Sequence, residues 1–213
     1  MFITFEGIEG CGKSTQVKRL VKRLKKISIP VVHTLEPGGT KIGKDIREIL
    51  LDSGNKNLSP LAELMLYCAD RAQHMAEIIM PALERGDWVI CDRFFDATTV
   101  YQGYARGLDP GLLNILKENV TAGVVPDITF LIDCPVEIGI ARALKRNLSE
   151  AQSGQDRFER EKMAFHETVR QGYLALAGAE KDRFLVVDGT LEVGKLEESI
   201  FESLRPVVSK IGE

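Results

Sequence analysis

Gly7-Ile8-Glu9-Gly10-Cys11-Gly12-Lys13-Ser14, followed by Thr15, gathers three glycines, a lysine and a hydroxyl at the spacing G-x-x-x-x-G-K-[ST]. The chemistry of that spacing is the holding of a polyphosphate. Glycines let successive backbone N–H groups turn inward around an anion, and a helix opening at the lysine adds the partial positive charge of its N-terminus. Lys13 can then reach the β- and γ-phosphates, while the Ser14 hydroxyl can ligate Mg²⁺. A glycine-rich turn with no ligand is the bland alternative. Its place, after an apolar run and before a helical stripe, speaks against that.

A second group carries charge of a different kind. Val89-Ile90-Cys91-Asp92-Arg93 ends an apolar run with an acid and a base, at the carboxyl end of a strand, where open α/β sheets hold their ligands. Asp92 is a candidate for Mg²⁺, directly or through water, and Arg93 for a forked grip on a second phosphate. A mutual salt bridge is the competing reading. Glu36-Pro37-Gly38-Gly39-Thr40 is a turn leading into a helix that carries Arg47. Tyr67 and Arg71 lie four positions apart, hence on one helical face. Singly, Tyr67 reads as core and Arg71 as a solvated charge; together, a ring and a fork suit a nucleobase. His33, His74 and His166 show no carboxylate pairing and read as structural.

These groups need elements to position them. Phe2–Phe5, Val31–Val32, Trp88–Cys91, Thr129–Ile132 and Phe184–Val187 read as buried strands. Between them run apolar stripes at helical spacing, such as Val17, Leu20, Val21 and Leu24, or Leu61, Leu64, Met65, Cys68 and Ala72. Val193 to Val208 closes the chain as a helix. Strands separated by helices require crossover connections, so the expected architecture is α/β, a five-stranded, mainly parallel sheet with helices on both faces. With the glycine loop after the first strand, this is a P-loop NTPase fold. No repeat or linker divides residues 1–213, which read as a single domain. Lys145 to Arg160 breaks the pattern with a polar, charged stretch around Ser153-Gly154. It is either a solvated loop or a mobile lid, the lid being placed at about 145–156.

Composition narrows the classes further. A net charge of −3 argues against a general nucleic-acid binder. The four cysteines, Cys11, Cys68, Cys91 and Cys134, are widely spaced and fit buried thiols in a reducing compartment. No apolar run approaches the ~18–20 residues of a membrane span. A soluble, cytoplasmic protein is expected, with no nucleic-acid or membrane partner. A guanine-specifying NKxD motif is missing, since Asn55-Lys56-Asn57-Leu58 does not complete one, which leaves small-molecule phosphotransfer ahead of a GTPase switch.

FEGIEGCGKST, EPGGTKIGKDIREILL, YCADRAQ, CDRFFDATTVYQGYARGL and DRFERE, in this order and spacing, resemble the thymidylate kinase family. The likeness covers nearly the whole chain, and its DR…YQG…RGL run is far more specific than the glycine loop. The resemblance implies an enzyme moving the γ-phosphate of ATP to thymidine monophosphate (dTMP), with Mg²⁺, in a homodimer. It places ATP on Gly7 to Thr15 and Arg142. It puts Glu9 against the sugar 3′-hydroxyl and the dTMP phosphate in the grip of Arg47 and Arg93. Tyr67 falls where thymine is stacked and Arg71 where its O4 is bonded. Tyr101 falls behind the sugar, with Gln102 beside it. Thr98 is the candidate for thymine N3. The loop carries no cation besides Lys13, so the resemblance is to the bacterial type, whose catalytic arginine comes from the flap. Arg146 is the first choice among Arg142, Lys145, Arg146 and Arg157. Departures include Leu35, Phe94, Ala97 and Leu144. Another monophosphate kinase, or a nucleotide-binding switch, stays open as a rival reading.

Overall fold

Phe2–Glu6 (β1) is enclosed along its whole length because it is the middle strand of a five-stranded parallel sheet ordered β2-β3-β1-β4-β5. Val31–Leu35 (β2), Trp88–Asp92 (β3), Ile128–Asp133 (β4) and Phe184–Asp188 (β5) complete it. The structure is a computed structural model that describes residues 1–149 and 155–209. All strands expected from the sequence are present. The edge strands β2 and β5 are only partly buried, not enclosed as their apolar runs imply, because among the described residues no strand pairs with their outer sides.

Lys13–Lys26 (α1) follows the glycine loop and buries Val17, Leu20, Val21 and Leu24. Its first turn has no acid and its last turn carries Arg23, Lys25 and Lys26, so the positive end of the helix stays available for an anion. Lys41–Leu51 (α2) is capped by Thr40, whose side chain accepts from Gly43 N at 2.9 Å. Ser59 caps Pro60–His74 (α3), with proline at its first position. This helix runs on through a π-helical turn, Met75–Ile79, into Met80–Glu84 (α4). Phe95–Thr98 (α5) likewise passes into a π-helical stretch, Thr99–Ala105, which buries Tyr101 and Gln102. Pro110–Thr121 (α6), Val136–Ser149 (α7), Met163–Ala179 (α8) and Val193–Val208 (α9) follow.

Two expectations are corrected. The stripe on α3 is split, with Leu64 and Cys68 buried and Leu61 and Met65 exposed. Lys145 to Ser149 continue helix α7 instead of opening a loop. Part of the expected lid, 150–154, lies outside the described residues. The cysteines are buried and unlinked as expected. No helix among the described residues is long and apolar enough to cross a membrane.

Candidate active site

The chain reverses direction across the sheet at β1, whose neighbours are β3 on one side and β4 on the other. The carboxyl ends of β1 and β3 therefore meet over a crevice, the expected ligand position in such sheets. The crevice is one continuous cleft of about 940 Å³.

At one end lies the glycine loop. Gly7, Gly10 and Gly12 have φ of +138°, +68° and +109°. A Cβ at Gly10 would also collide with the carbonyl of Gly139 on α7, so glycine is required there by both conformation and space. The ammonium of Lys13 is buried and donates to the carbonyls of Gly7 at 2.9 Å and Ile8 at 2.7 Å. Gly7 and Ile8 thus serve from beneath, while Glu9 to Thr15 line the cleft. Ser14 donates its hydroxyl to Asp92 Oδ2. These two hard oxygen donors, with no further His, Cys, Asp or Glu cluster of metal-holding size among the described residues, fit Mg²⁺ as phosphate-bound ions take it: few protein ligands and the rest water and substrate.

Guanidinium groups and rings line the same cleft. Arg93, itself at φ +73°, donates to Glu9 Oε1 at 3.1 Å, to Tyr101 OH at 3.2 Å and to Tyr173 OH at 3.0 Å. The competing reading, a local pairing with Asp92, is not among its bonds; its backbone is left-handed and its side chain meets Glu9 of the glycine loop. Burial works against its charge, but the oxygens of Tyr101, Tyr173, Glu9 and Glu6 hold it charged well above the ordinary range. Arg47 donates to Pro37 O at 2.9 Å, and burial, aided by Arg93, lowers its guanidinium below the usual value. Two cations sharing one basin invite an anion.

Tyr67 is half-buried and lines the cleft. Arg71 is no solvated charge: it is 1% exposed. It donates to Glu36 Oε2 at 2.6 Å, to Thr98 Oγ1 at 3.0 Å and to Phe94 O at 3.2 Å. Arg71 and Thr98, both assigned to the base by the resemblance, are thus bonded to each other. Gln102 donates to Glu63 Oε1 at 2.8 Å. Arg142 donates to Gly189 O at 2.9 Å, and Arg146 stands 3.4 Å from Glu159. Both line the cleft from α7. Arg157 is drawn away to Leu50 O and Glu63 and does not line it.

Several residues escaped sequence reading. Glu6 accepts from Phe94 N and Tyr173 OH, each at 2.7 Å, and burial raises its carboxyl to about 7. Glu9 goes the other way. Burial would raise it, yet His166, Arg93, Lys13 and Tyr101 together hold it at about 2. His74 pairs with Glu36 at 2.9 Å and His166 lies 3.4 Å from Glu9, so two of the three histidines face acids that the sequence did not show. Only contact across the fold brings them to their acids, and no local spacing carries that signal. The sole hint is Glu6, an acid ending an otherwise apolar strand.

A P-loop NTPase fold whose phosphate loop faces a basin of arginines across one cleft has the layout of a phosphotransferase with two anionic substrates. Comparison with known proteins agrees. The family model for thymidylate kinase matches residues 5–200. A thymidylate kinase of Geobacter sp. (strain M21) is 51% identical over 212 residues, covering 100% of this chain and 94% of the relative. One from Desulforapulum autotrophicum is 57% identical over 195 residues, covering 90% and 86%. The crystal structure of thymidylate kinase from Ehrlichia chaffeensis superposes with a TM-score of 0.77 at 34% identity, covering 96% of this chain and 98% of that one. This chain belongs to the thymidylate kinase family.

Proposed function

We propose that the chain transfers the γ-phosphoryl group of ATP to dTMP, giving dTDP and ADP, and that the residues gathered in the cleft carry the reaction. The observation behind this is the single cleft that the glycine loop shares with Arg47, Arg93, Tyr67, Arg71, Thr98 and Tyr101. ATP lies along Glu9 to Thr15, with Arg142 beside it. The dTMP phosphate is gripped by Arg47 and Arg93, thymine meets Tyr67, Arg71 and Thr98, and the sugar rests between Tyr101 and Glu9, with Gln102 behind.

The acceptor phosphate, with a second pKa near 6, is mostly dianionic at neutral pH and needs no general base. The obstacle is repulsion between two polyanions, about 4 kcal/mol per pair of unit charges at ~4 Å and an effective dielectric of 20. Lys13 is held above the loop by two carbonyls that phosphate oxygens can replace. Arg93 is oriented by three oxygens before substrate arrives, so its fork needs little reorganisation. Arg146, at the end of α7, contacts the γ-phosphoryl oxygens as the cleft closes and stabilises the spread charge. Mg²⁺, held at Ser14 and Asp92, supplies further neutralisation of phosphate oxygens when bound. Excluding water by closure limits loss of ATP to hydrolysis.

A homodimer and a cytoplasmic location belong to the same reading; the apolar residues Leu61 and Met65 exposed on α3 support the former. A coupled assay over the monophosphates of thymidine, uridine, cytidine and adenosine at fixed ATP tests the function. Turnover highest with dTMP is expected; ATP hydrolysis unaffected by any monophosphate would sink it.

A further inference from the structure

His166 sits in the first turns of α8 with no exposed surface, and the reaction as described leaves it without a role. Its Nδ1 lies 3.4 Å from Glu9 Oε2. That oxygen and both ring nitrogens lack a well-aligned hydrogen-bond partner within the structure. The other carboxylate oxygen, Oε1, accepts from Tyr101 at 2.6 Å and from Arg93 at 3.1 Å. His166 does not line the cleft, whereas Glu9 does, so the ring stands behind the carboxylate. Phe165 meets the imidazole edge-on, centroids 5.7 Å apart and planes at 89°, which limits its rotation.

A buried carboxylate oxygen without a donor is costly, and so is a buried N–H without an acceptor. The tautomer with its hydrogen on Nδ1 relieves both once the 3.4 Å gap closes slightly. It leaves Nε2 as a bare acceptor, the least costly orphan. A carboxylate has about four lone-pair sites. Tyr101 and Arg93, which both line the cleft, bond Oε1, and His166 fills a site on the enclosed Oε2, so a substrate hydroxyl is met on the Oε1 side.

We infer that His166 is a positioning residue which, by donating from Nδ1 to Glu9 Oε2, fixes the carboxylate so that Oε1, on the side of Tyr101 and Arg93, receives the sugar 3′-hydroxyl of the acceptor. This rests on the reading of Glu9 given above. It assigns to α8 a share in recognising the sugar without touching it.

Two substitutions separate this from packing. His166→Asn places an N–H near the position of Nδ1, and His166→Phe fills the volume with no donor. Kinetics are measured with dTMP and with its 3′-deoxy analogue, alongside thermal unfolding. His166→Phe should raise KM for dTMP about tenfold or more, the effect of a lost bond to a charged group. It should leave kcat within about threefold, spare KM for ATP, and show no KM penalty with the 3′-deoxy analogue. His166→Asn should remain near the parent. Equal losses on both monophosphates, or Asn no better than Phe, would overturn the inference. Should the Phe variant not fold, His166→Gln takes its place: its N–H falls at the Nε2 position, and parent-like kinetics there overturn the role of Nδ1. A parent enzyme indifferent to the 3′-hydroxyl would instead overturn the Glu9 assignment, and this inference with it.

Discussion

Replacing Arg71 by methionine tests the base end of the cleft and the fold beneath it together. The guanidinium is enclosed and donates to Glu36, Thr98 and Phe94. Methionine keeps much of the stem volume and removes every donor. Glu36, 3% exposed, then keeps one partner, His74 at 2.9 Å on its other oxygen. Breaking a buried ion pair costs about 3–5 kcal/mol because one charge is left uncompensated. The surviving histidine puts this case at the lower end, about 3 kcal/mol. For a domain of this size, that lowers Tm by roughly 6–12 °C. If the loss stems from the stranded carboxylate, neutralising it should recover part. The double variant Arg71→Met/Glu36→Gln is expected to be about 1–2 kcal/mol more stable than the two single losses predict. Thermal unfolding of the four proteins measures this, and dTMP kinetics on the folded ones add a further rise in KM of roughly ten- to a hundredfold, from lost bonds to the base. A Tm within about 2 °C of the parent, with strictly additive losses, would refute the ion-pair argument. An unchanged KM would refute the base pocket.

Arg146→Ala should lower kcat by about a hundredfold or more while KM for dTMP stays within about threefold; a raised KM at constant kcat would contradict a role in the transition state. Gly10→Ala should be poorly folded or lose ATP binding, because its Cβ meets the Gly139 carbonyl and its φ is +68°; parent-like ATP affinity and Tm would show that loop and helix can part. Glu6, raised by burial from 4.5 to about 7, binds more protons folded than unfolded between those values, so its contribution to stability is full below 4.5 and is lost as pH rises towards 7. Asp70, raised by burial from 3.8 to about 6, acts in the same sense. Glu6→Gln should therefore flatten the fall in Tm between about pH 4.5 and 7; an unchanged slope would place the effect elsewhere.

The strands and the glycine loop are legible in the sequence because both are local. A fully apolar run between helical stripes has little to become except an inner strand of a parallel sheet, and the loop's glycines and lysine act within eight positions. Arg47, Arg71 and Arg93 could be named from motif order, and the fold brings all three to one cleft. What each one touches was not legible. Arg71 looked solvated because helical spacing shows a face, not what covers it, and its cover is Glu36, thirty-five positions away. The pairing of Glu9 with His166 spans still more of the chain. The end of α7 was misjudged for another reason: Lys145, Arg146 and Asn147 are charged or polar yet compatible with helix, and polarity without glycine or proline does not stop one.

Arg93 holds a left-handed backbone, φ +73°, that glycine or asparagine would adopt at less cost than a long side chain. That strain, about 1–2 kcal/mol, is smaller than the ~3–5 kcal/mol expected for stranding the buried Glu6 and part-buried Glu9 that the guanidinium faces, so the side chain holds its own backbone in place. Thermal robustness and turnover therefore rest on the same guanidinium. Directed evolution of the chain should hold position 93 constant and look for its added stability elsewhere.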